Sequence, residues 1–484
     1  MTFSIVSFNV NGFIPCLVRK GYKENEISNF LDEIYNSEVS WNGVELPRPS
    51  IVCIQECKMN SEEDINYCTG CPNRHHAFYS LPTNYKRYSG VATFCRKDEA
   101  TPREATSGFS WIEKKDKIFK MEVSEIYSDK IKEFNYEKIL KEPKNYRKFD
   151  YSLSDMDIEG RCIITDHVDF LLVNLYLPLV RKVPADNLEN TDNLASLTRA
   201  SYRLAFNQYL RLMLDVIVTK NKRDVILVGD MNVTLDDIDS YYEYNICKKD
   251  QVESYFKESG DLMDISSSYS SFYKQIRTDM KLLLRDFNLI DAYRLFYPGK
   301  INKYTCWDQT KCSRINNQGS RIDLFLVSRN LINRVKGCEI IDNVCGSDHC
   351  PIVLIMSGNL QNINPNTPPS LCSKYLPSCI LKQSLLSNFF IKEKYNDLQG
   401  PVLEKDRTSK KLNILDNQDK DVPNCKHGMK CIKKYVSKNG INKNRSFWTC
   451  SKPDLLKCNY FEWVKEKRQL CTITTFVKQN QKIN

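Results

Sequence analysis

From its start to about position 357 the chain repeats one pattern, a short apolar run bordered by polar residues. FSIVSF is followed by Asn9 and Asn11, IVCIQ by Glu56, and VILVG by Asp230 and Asn232. Asp323 precedes LFLV, and Asp348 and His349 precede CPIVLI. Short runs of this kind read as buried strands. RCIITDH and FLLVNLYL predict a hairpin that turns at Val168 and Asp169, while Ala205, Tyr209, Leu212 and Val216 keep helical spacing ahead of DVILVGDMN. Two segments break the pattern, about 101–151 and about 236–273. Both read as surface insertions, and neither is assigned chemistry. No internal repeat is present.

Polar side chains brought from several strand ends to one place are how a sheet-based enzyme builds a site. The inventory is carboxylates, carboxamides and one histidine, with no serine or cysteine nucleophile motif nearby. It suits a hard divalent cation and attack by water on a phosphodiester.

Composition adds an asymmetry. At 484 residues the chain has room for one large core plus appendages. Of 70 Lys and Arg, 19 lie beyond position 400, with 8 of the 60 Asp and Glu, so the net charge of +10 belongs to the tail. The tail is the expected contact for a polyanion; a merely solvated lysine-rich segment is the plainer alternative. Twenty cysteines sit in a large chain with no signal-peptide pattern and no apolar run near the roughly 20 residues of a membrane helix. Reduced intracellular thiols, some held by metal, are the expectation. Composition shifts to Asn, Pro, Ser and Lys over 358–422, which reads as a flexible linker. A Cys, His and aromatic cluster follows at 423–465, and a basic tail at 466–484.

SFNVNG at 7–12, IQE at 54–56, DIEGR at 157–161, NLYLP at 174–178, GDMN at 229–232, SRID at 320–323 and GSDH at 346–349 resemble the endonuclease/exonuclease/phosphatase superfamily. Their order and spacing are similar to the class II apurinic/apyrimidinic (AP) endonucleases, and TCW at 305–307 with QGSRIDLFLVS to the AP endonuclease 2 branch. The resemblance implies a four-layered α/β sandwich of two packed mixed sheets flanked by helices (DNase I-like), spanning 1–357. It implies a nuclear DNA repair hydrolase that uses Mg²⁺, with Mn²⁺ as a substitute. Such an enzyme cuts 5′ to abasic sites and removes 3′ nucleotides or blocking groups.

The same resemblance implies roles. Asn9, Glu56, Asp230, Asn232, Asp348 and His349 surround the metal. Asp230 moves a proton of water or leaving group, with Asn232 orienting. Asp323 fixes the His349 tautomer so that the other ring nitrogen addresses phosphate. Tyr176, Asn11 and Arg161 contact phosphate, and Trp307 with Phe325 lines a pocket for a flipped abasic sugar. Leu179 departs from the polar residue usual there.

Gln383, Leu386, Phe389 and Phe390 match Q-x-x-[ILM]-x-x-[FY]-[FY], the motif that binds the sliding clamp (proliferating cell nuclear antigen). Cys425, His427, Cys450 and Cys458 resemble the ligands of a GRF-type zinc finger, although Asn444 replaces a usual glycine. Its lysines and aromatics suit single-stranded DNA. Cys68-x-x-Cys71 with His75 is a weaker metal pattern. Two other functions stay open: a phosphatase of the same fold on a non-DNA ester, and a non-catalytic scaffold joining clamp and DNA.

Overall fold

The computed structural model describes residues 2–35, 40–41, 44–59, 61–83, 88–112, 151–180, 191–248, 265–362, 365–380, 422–435, 446–452, 458 and 460–464. The chain divides into two units, Met1–Ser387 and Asn388–Asn484.

Among the described residues, twelve strands build the two large sheets of the first unit: β1 (Thr2–Asn9), β2 (Pro49–Gln55), β3 (His75–Ser80), β4 (Val91–Arg96), β5 (Glu104–Ser107), β6 (Cys162–Asp166), β7 (Leu171–Tyr176), β8 (Val225–Asp230), β9 (Leu289–Asp291), β10 (Asp323–Ser328), β11 (Val335–Ile340) and β12 (Ile352–Ser357). They form two six-stranded sheets, ordered β11-β12-β1-β2-β4-β3 and β9-β10-β8-β7-β6-β5. Each has one parallel pair at its centre, β1 with β2 and β7 with β8, and antiparallel pairs elsewhere.

Strand alternation assigns each side chain to a layer. Ile5, Ile51, Leu172, Ile226, Val228 and Phe325 fill the space between the sheets. Their neighbours Val173, Val225, Leu227 and Leu324 face outward into a second core under the helices Thr191–Leu214 and Ile265–Asp286. Val6, Phe8, Val52 and Ile54 face the opposite outer layer with Phe13 and Phe30 from short helices. Helix, sheet, sheet, helix is the four-layered DNase I-like sandwich. The expected β6–β7 hairpin forms, and Ala205, Tyr209, Leu212 and Val216 are buried on one helix face. None of the helices among the described residues is long and apolar enough to cross a membrane.

Three expected boundaries move. Residues 101–112 are not insertion: β5 pairs with β6, and Phe109, Trp111 and Ile112 are core residues. Positions 236–248 are structural too, because Asp239 is fully buried and holds Arg321 by two hydrogen bonds of 2.8 and 2.9 Å. Their sequences are polar because the partners are ion pairs, which hydrophobic pattern cannot register. The linker does not begin at 358. Residues 365–380 pack on β3, where Cys372 bridges to Phe78 and Ser373 Oγ donates to the Gly70 and Ala77 carbonyls at 2.6 and 2.9 Å. Small polar residues suffice there because the exposed backbone of an edge strand supplies the acceptors. The clamp-binding residues Gln383, Leu386, Phe389 and Phe390 lie outside the described residues, as do Asn444 and most of 358–422 beyond position 380.

The second unit is a three-stranded antiparallel sheet, β13 (Ile432–Tyr435), β14 (Ser446–Thr449) and β15 (Phe461–Trp463).

Candidate active site and zinc centre

The site lies where the inner faces of both sheets run out. On β8, Ile226 and Val228 point inward, so Asp230 does too. In register it sits beside Tyr176 on β7 and Asp323 on β10, so three polar residues form one rung. Asn9 ends β1 opposite Gln55 of β2, and Glu56 follows. Behind this mouth Gln55 donates to Asn174 Oδ1 at 2.8 Å and to Ser7 Oγ at 3.0 Å, a paired polar layer joining the sheets. Gly229 is required in GDMN, because a Cβ there would collide with the Leu175 carbonyl of the adjacent parallel strand.

Asn9 Nδ2 ties the sheets together, donating to Asp230 Oδ2 at 2.9 Å and Glu56 Oε1 at 3.1 Å. Tyr176 OH donates to the same Glu56 oxygen at 2.8 Å. Asn11 Nδ2 reaches Asp348 Oδ1 at 2.9 Å, and the Asn11 N–H donates to Asn9 Oδ1 at 3.1 Å. Asn232 donates its N–H to Asp230 Oδ1 at 2.9 Å and its amide to the Leu177 carbonyl at 2.8 Å. Asn11, Glu56 and Asn232 all have left-handed backbone, with φ of 48°, 52° and 48°. Asparagine tolerates this region; glutamate is strained there, as site residues often are.

His349 Nδ1 lies 2.8 Å from Asp323 Oδ2, and Nε2 lies 3.9 Å from Asp230 Oδ2. Burial works against a charged imidazole, but the Asp323 carboxylate overrides it and holds the ring well above its ordinary pKa. Burial, then the neighbouring Asp323 charge, pushes Asp230 up to about 7. The ligand atoms of Asp230, Asp323 and His349 all lie within 4.8 Å of one another, so His349 fits the expected ligand role as well as a phosphate-facing one.

Three residues expected at the DNA, Arg161, Trp307 and Phe325, are buried. Arg161 is 2% exposed, with Nε on Glu159 at 2.5 Å and NH1 on the Tyr176 carbonyl at 2.8 Å. It holds Tyr176 from behind. Phe325 packs between the sheets, and the Trp307 ring is buried beneath Arg314, whose guanidinium lies 4.5 Å from it. Both rings are buried. Cys68, Cys71 and His75 form no metal-binding group among the described residues; His75 is a core residue near Asp32. Leu179 is exposed.

Sequence reading missed Lys58 and Arg203. The Lys58 ammonium lies 2.9 Å from Glu56 Oε2 and also bonds Asn11 Oδ1, so a cation already sits at the Glu56 carboxylate. Glu56, Asn9, Asp230 and Asp348 stand around this mouth, and oxygen donors of that kind suit a hard divalent ion. Arg203, fully buried on the long helix, donates to the Pro178 and Met231 carbonyls at 3.0 and 2.8 Å and fixes both site loops. Lys58 was detectable only as a basic residue two positions after Glu56; Arg203 gave no signal.

In the second unit the ligand atoms of Cys425, His427, Cys450 and Cys458 all lie within 4.8 Å of one another. Hydrogen bonds from backbone N–H groups hold the Cys450 thiol down at about 6, toward the thiolate that zinc binds. Three sulfurs and one imidazole fit a closed structural zinc site. Cys431 is buried beside them but stands outside the set.

Two packed six-stranded sheets with a polar rung at their mouth make this a DNase I-like sandwich. Within that class the chain is similar to AP endonuclease 2, and it carries a GRF-type zinc finger. Residues 423–467 match the GRF zinc finger family model. The chain is 27% identical over 358 residues to DNA-(apurinic or apyrimidinic site) endonuclease 2 of Schizosaccharomyces pombe, covering 72% of this chain and 57% of that protein. It is 26% identical over 420 residues to the Homo sapiens protein of the same name, covering 83% and 68%. The crystal structure of the Xenopus laevis APE2 catalytic domain shares the fold, with a TM-score of 0.53 and 24% identity over 78% of this chain and 98% of that one. The chain thus spans little more than half the length of the yeast relative.

Proposed function

We propose that this chain is a divalent-metal-dependent DNA repair nuclease of the nucleus. It hydrolyses phosphodiesters 5′ to abasic sites and removes nucleotides or blocking groups from 3′ ends. The observation that carries the reading is the rung of Tyr176, Asp230 and Asp323 facing Asn9 and Glu56 across the two sheets. The names of the relatives support DNA as the substrate.

Glu56, with Asn9, Asp230 and Asp348 around the same mouth, would hold Mg²⁺ or Mn²⁺. The ion would act as a Lewis acid toward a phosphate oxygen. Asp230, with its pKa near neutrality, takes the proton of the attacking water, and Asn232 holds the carboxylate in place. His349, kept charged by Asp323, donates a hydrogen bond to a phosphate oxygen and stabilises the charge that builds there. Tyr176 donates to a second oxygen from a position fixed by Arg161. Asn11 and Lys58 bind the flanking backbone.

The finger supplies single-stranded DNA capture. Lys434, Phe447 and Trp463 are cross-strand partners in register and so share one face. Phe447 and Phe461 stack at 4.9 Å, and Phe461 is 54% exposed. Bare rings beside lysines suit stacked bases and phosphates. The 383–390 peptide recruits the protein to the sliding clamp.

The test is incubation with Mg²⁺ and labelled DNA duplexes, one carrying an abasic analogue and one a recessed 3′ mismatch, beside a small phosphate monoester. Cleavage of DNA and not of the monoester is expected. Turnover of the monoester alone would favour a phosphatase, and inertness on all three a scaffold.

A further inference from the structure

Residues 365–380 form a strap over β3, the edge strand of the first sheet. His76 Nε2 meets the Pro365 carbonyl at 2.8 Å, Asn362 Nδ2 donates to the Lys97 carbonyl at 3.0 Å, and Ser373 bonds the Gly70 and Ala77 carbonyls. The strap ends at Cys379, which is 3% exposed. Backbone and side chain of Cys379 both abut the loop before β3. Its carbonyl lies 3.9 Å from Cys71 Sγ, and its own sulfur occupies the place a Cβ on Gly70 would fill. The Cys379 sulfur also donates to the Asn66 carbonyl at 3.6 Å, so it packs against the same 66–71 segment that carries Cys71.

Cys372 and His76, 3.9 Å apart, lie nearby, but Cys372 belongs to the core between the sheets, whereas Cys71 and Cys379 pack in the outer core. The four groups are split by β3 and do not gather into one metal centre.

We propose that Cys71 and Cys379 are a modification site, an oxidisable thiol pair whose disulfide staples the strap to the catalytic unit. Hydrogen peroxide is the oxidant class. The partly exposed Cys71 is attacked first: its sulfur takes one peroxide oxygen as the O–O bond breaks, giving a sulfenic acid and one water. The Cys379 sulfur then displaces hydroxide from that sulfenic acid, forming the S–S bond and, with the Cys379 proton, a second water. The balance is two thiols and one peroxide to one disulfide and two waters. Burial, with the neighbouring Cys379 thiol, pushes Cys71 up to about 11, so the thiolate is scarce at neutral pH. The pair therefore responds to sustained oxidant and not to a brief pulse. Oxidation fixes the end of the strap against the 66–71 segment, without touching the catalytic mouth.

The experiment treats full-length protein with hydrogen peroxide, blocks remaining thiols, and digests it without reductant for mass spectrometry. A Cys71–Cys379 linked peptide that disappears with reductant is expected. Cys71→Ser and Cys379→Ser should each abolish it, and Cys68→Ser should leave it. Hydrogen exchange across 365–380 should slow by at least about tenfold in the oxidised protein. Recovery of both cysteines as single adducts or sulfinic acids, linkage of Cys379 to Cys68, or unchanged exchange despite the link would overturn the proposal.

Discussion

Asp230 and Asp323 face each other across the antiparallel β8–β10 pair, and both are buried. Two carboxylates directly opposite would repel. His349 answers this by bonding Asp323 at 2.8 Å and turning its other nitrogen toward Asp230 at 3.9 Å. One imidazolium between two carboxylates is the electrostatic centre of the site.

The first prediction concerns that imidazolium. With five histidines in the chain, His349 can be followed by NMR of labelled rings. In metal-free protein it should stay protonated through neutral pH. In Asp323→Asn its titration should fall, because burial is then opposed only by the weaker influence of Cys306. An unchanged titration in the variant would show that another group holds the charge.

Asp230 itself gives a stability prediction. Its folded pKa of about 7 is above that of the unfolded chain, so the unfolded state ionises first as pH rises. Metal-free protein should therefore lose stability between about pH 4 and pH 7, the window between the two values. Asp230→Asn should lack this loss and be more stable at pH 7 by on the order of 4 kcal/mol. Denaturant unfolding of both proteins with chelator at about pH 4.5 and pH 7 reads the difference.

Arg161 holds Tyr176 from behind, its guanidinium 4.4 Å over the ring. Arg161→Lys keeps charge but loses the flat, forked contact. It should lower kcat by about 10-fold to 100-fold, the scale expected when reacting groups are misplaced, with KM little changed. A rise in KM alone would mean that Arg161 reaches the DNA after all.

Much of this was legible in sequence for a physical reason. Strand alternation carries Asp230, Asp323 and Asn9 inward at the ends of apolar runs, so pattern and chemistry coincide. That Arg161 and Phe325 are buried is not legible in sequence, because pattern cannot tell a residue that faces substrate from one that supports it. Asp239 was missed within a polar stretch, since a buried ion pair with Arg321 leaves no apolar trace. Arg203, which caps two loop carbonyls from a helix, looks in sequence like any surface arginine. The strap was read as linker because its anchors are single serine and cysteine side chains on an edge strand.

The finger prediction separates capture from chemistry. A fragment from about Asp421 onward should contain one zinc ion, unfold with chelator, and bind single-stranded DNA less tightly as salt rises. Deleting that stretch from the whole protein should slow processing of long 3′ single-stranded regions more than incision at a duplex abasic site. Equal loss on both would mean that the finger stabilises the nuclease instead of selecting its DNA.

The most direct test of the central claim compares wild type with Asp230→Asn on the abasic-site and recessed 3′ mismatch duplexes, with Mg²⁺ and with chelator. Wild type should cleave both only with the metal. The variant, folded and at least as stable, should be slower on both by at least about 10²-fold, the scale of a lost general acid or base. Near-normal cleavage by the variant, or chelator-resistant cleavage by wild type, would contradict the account.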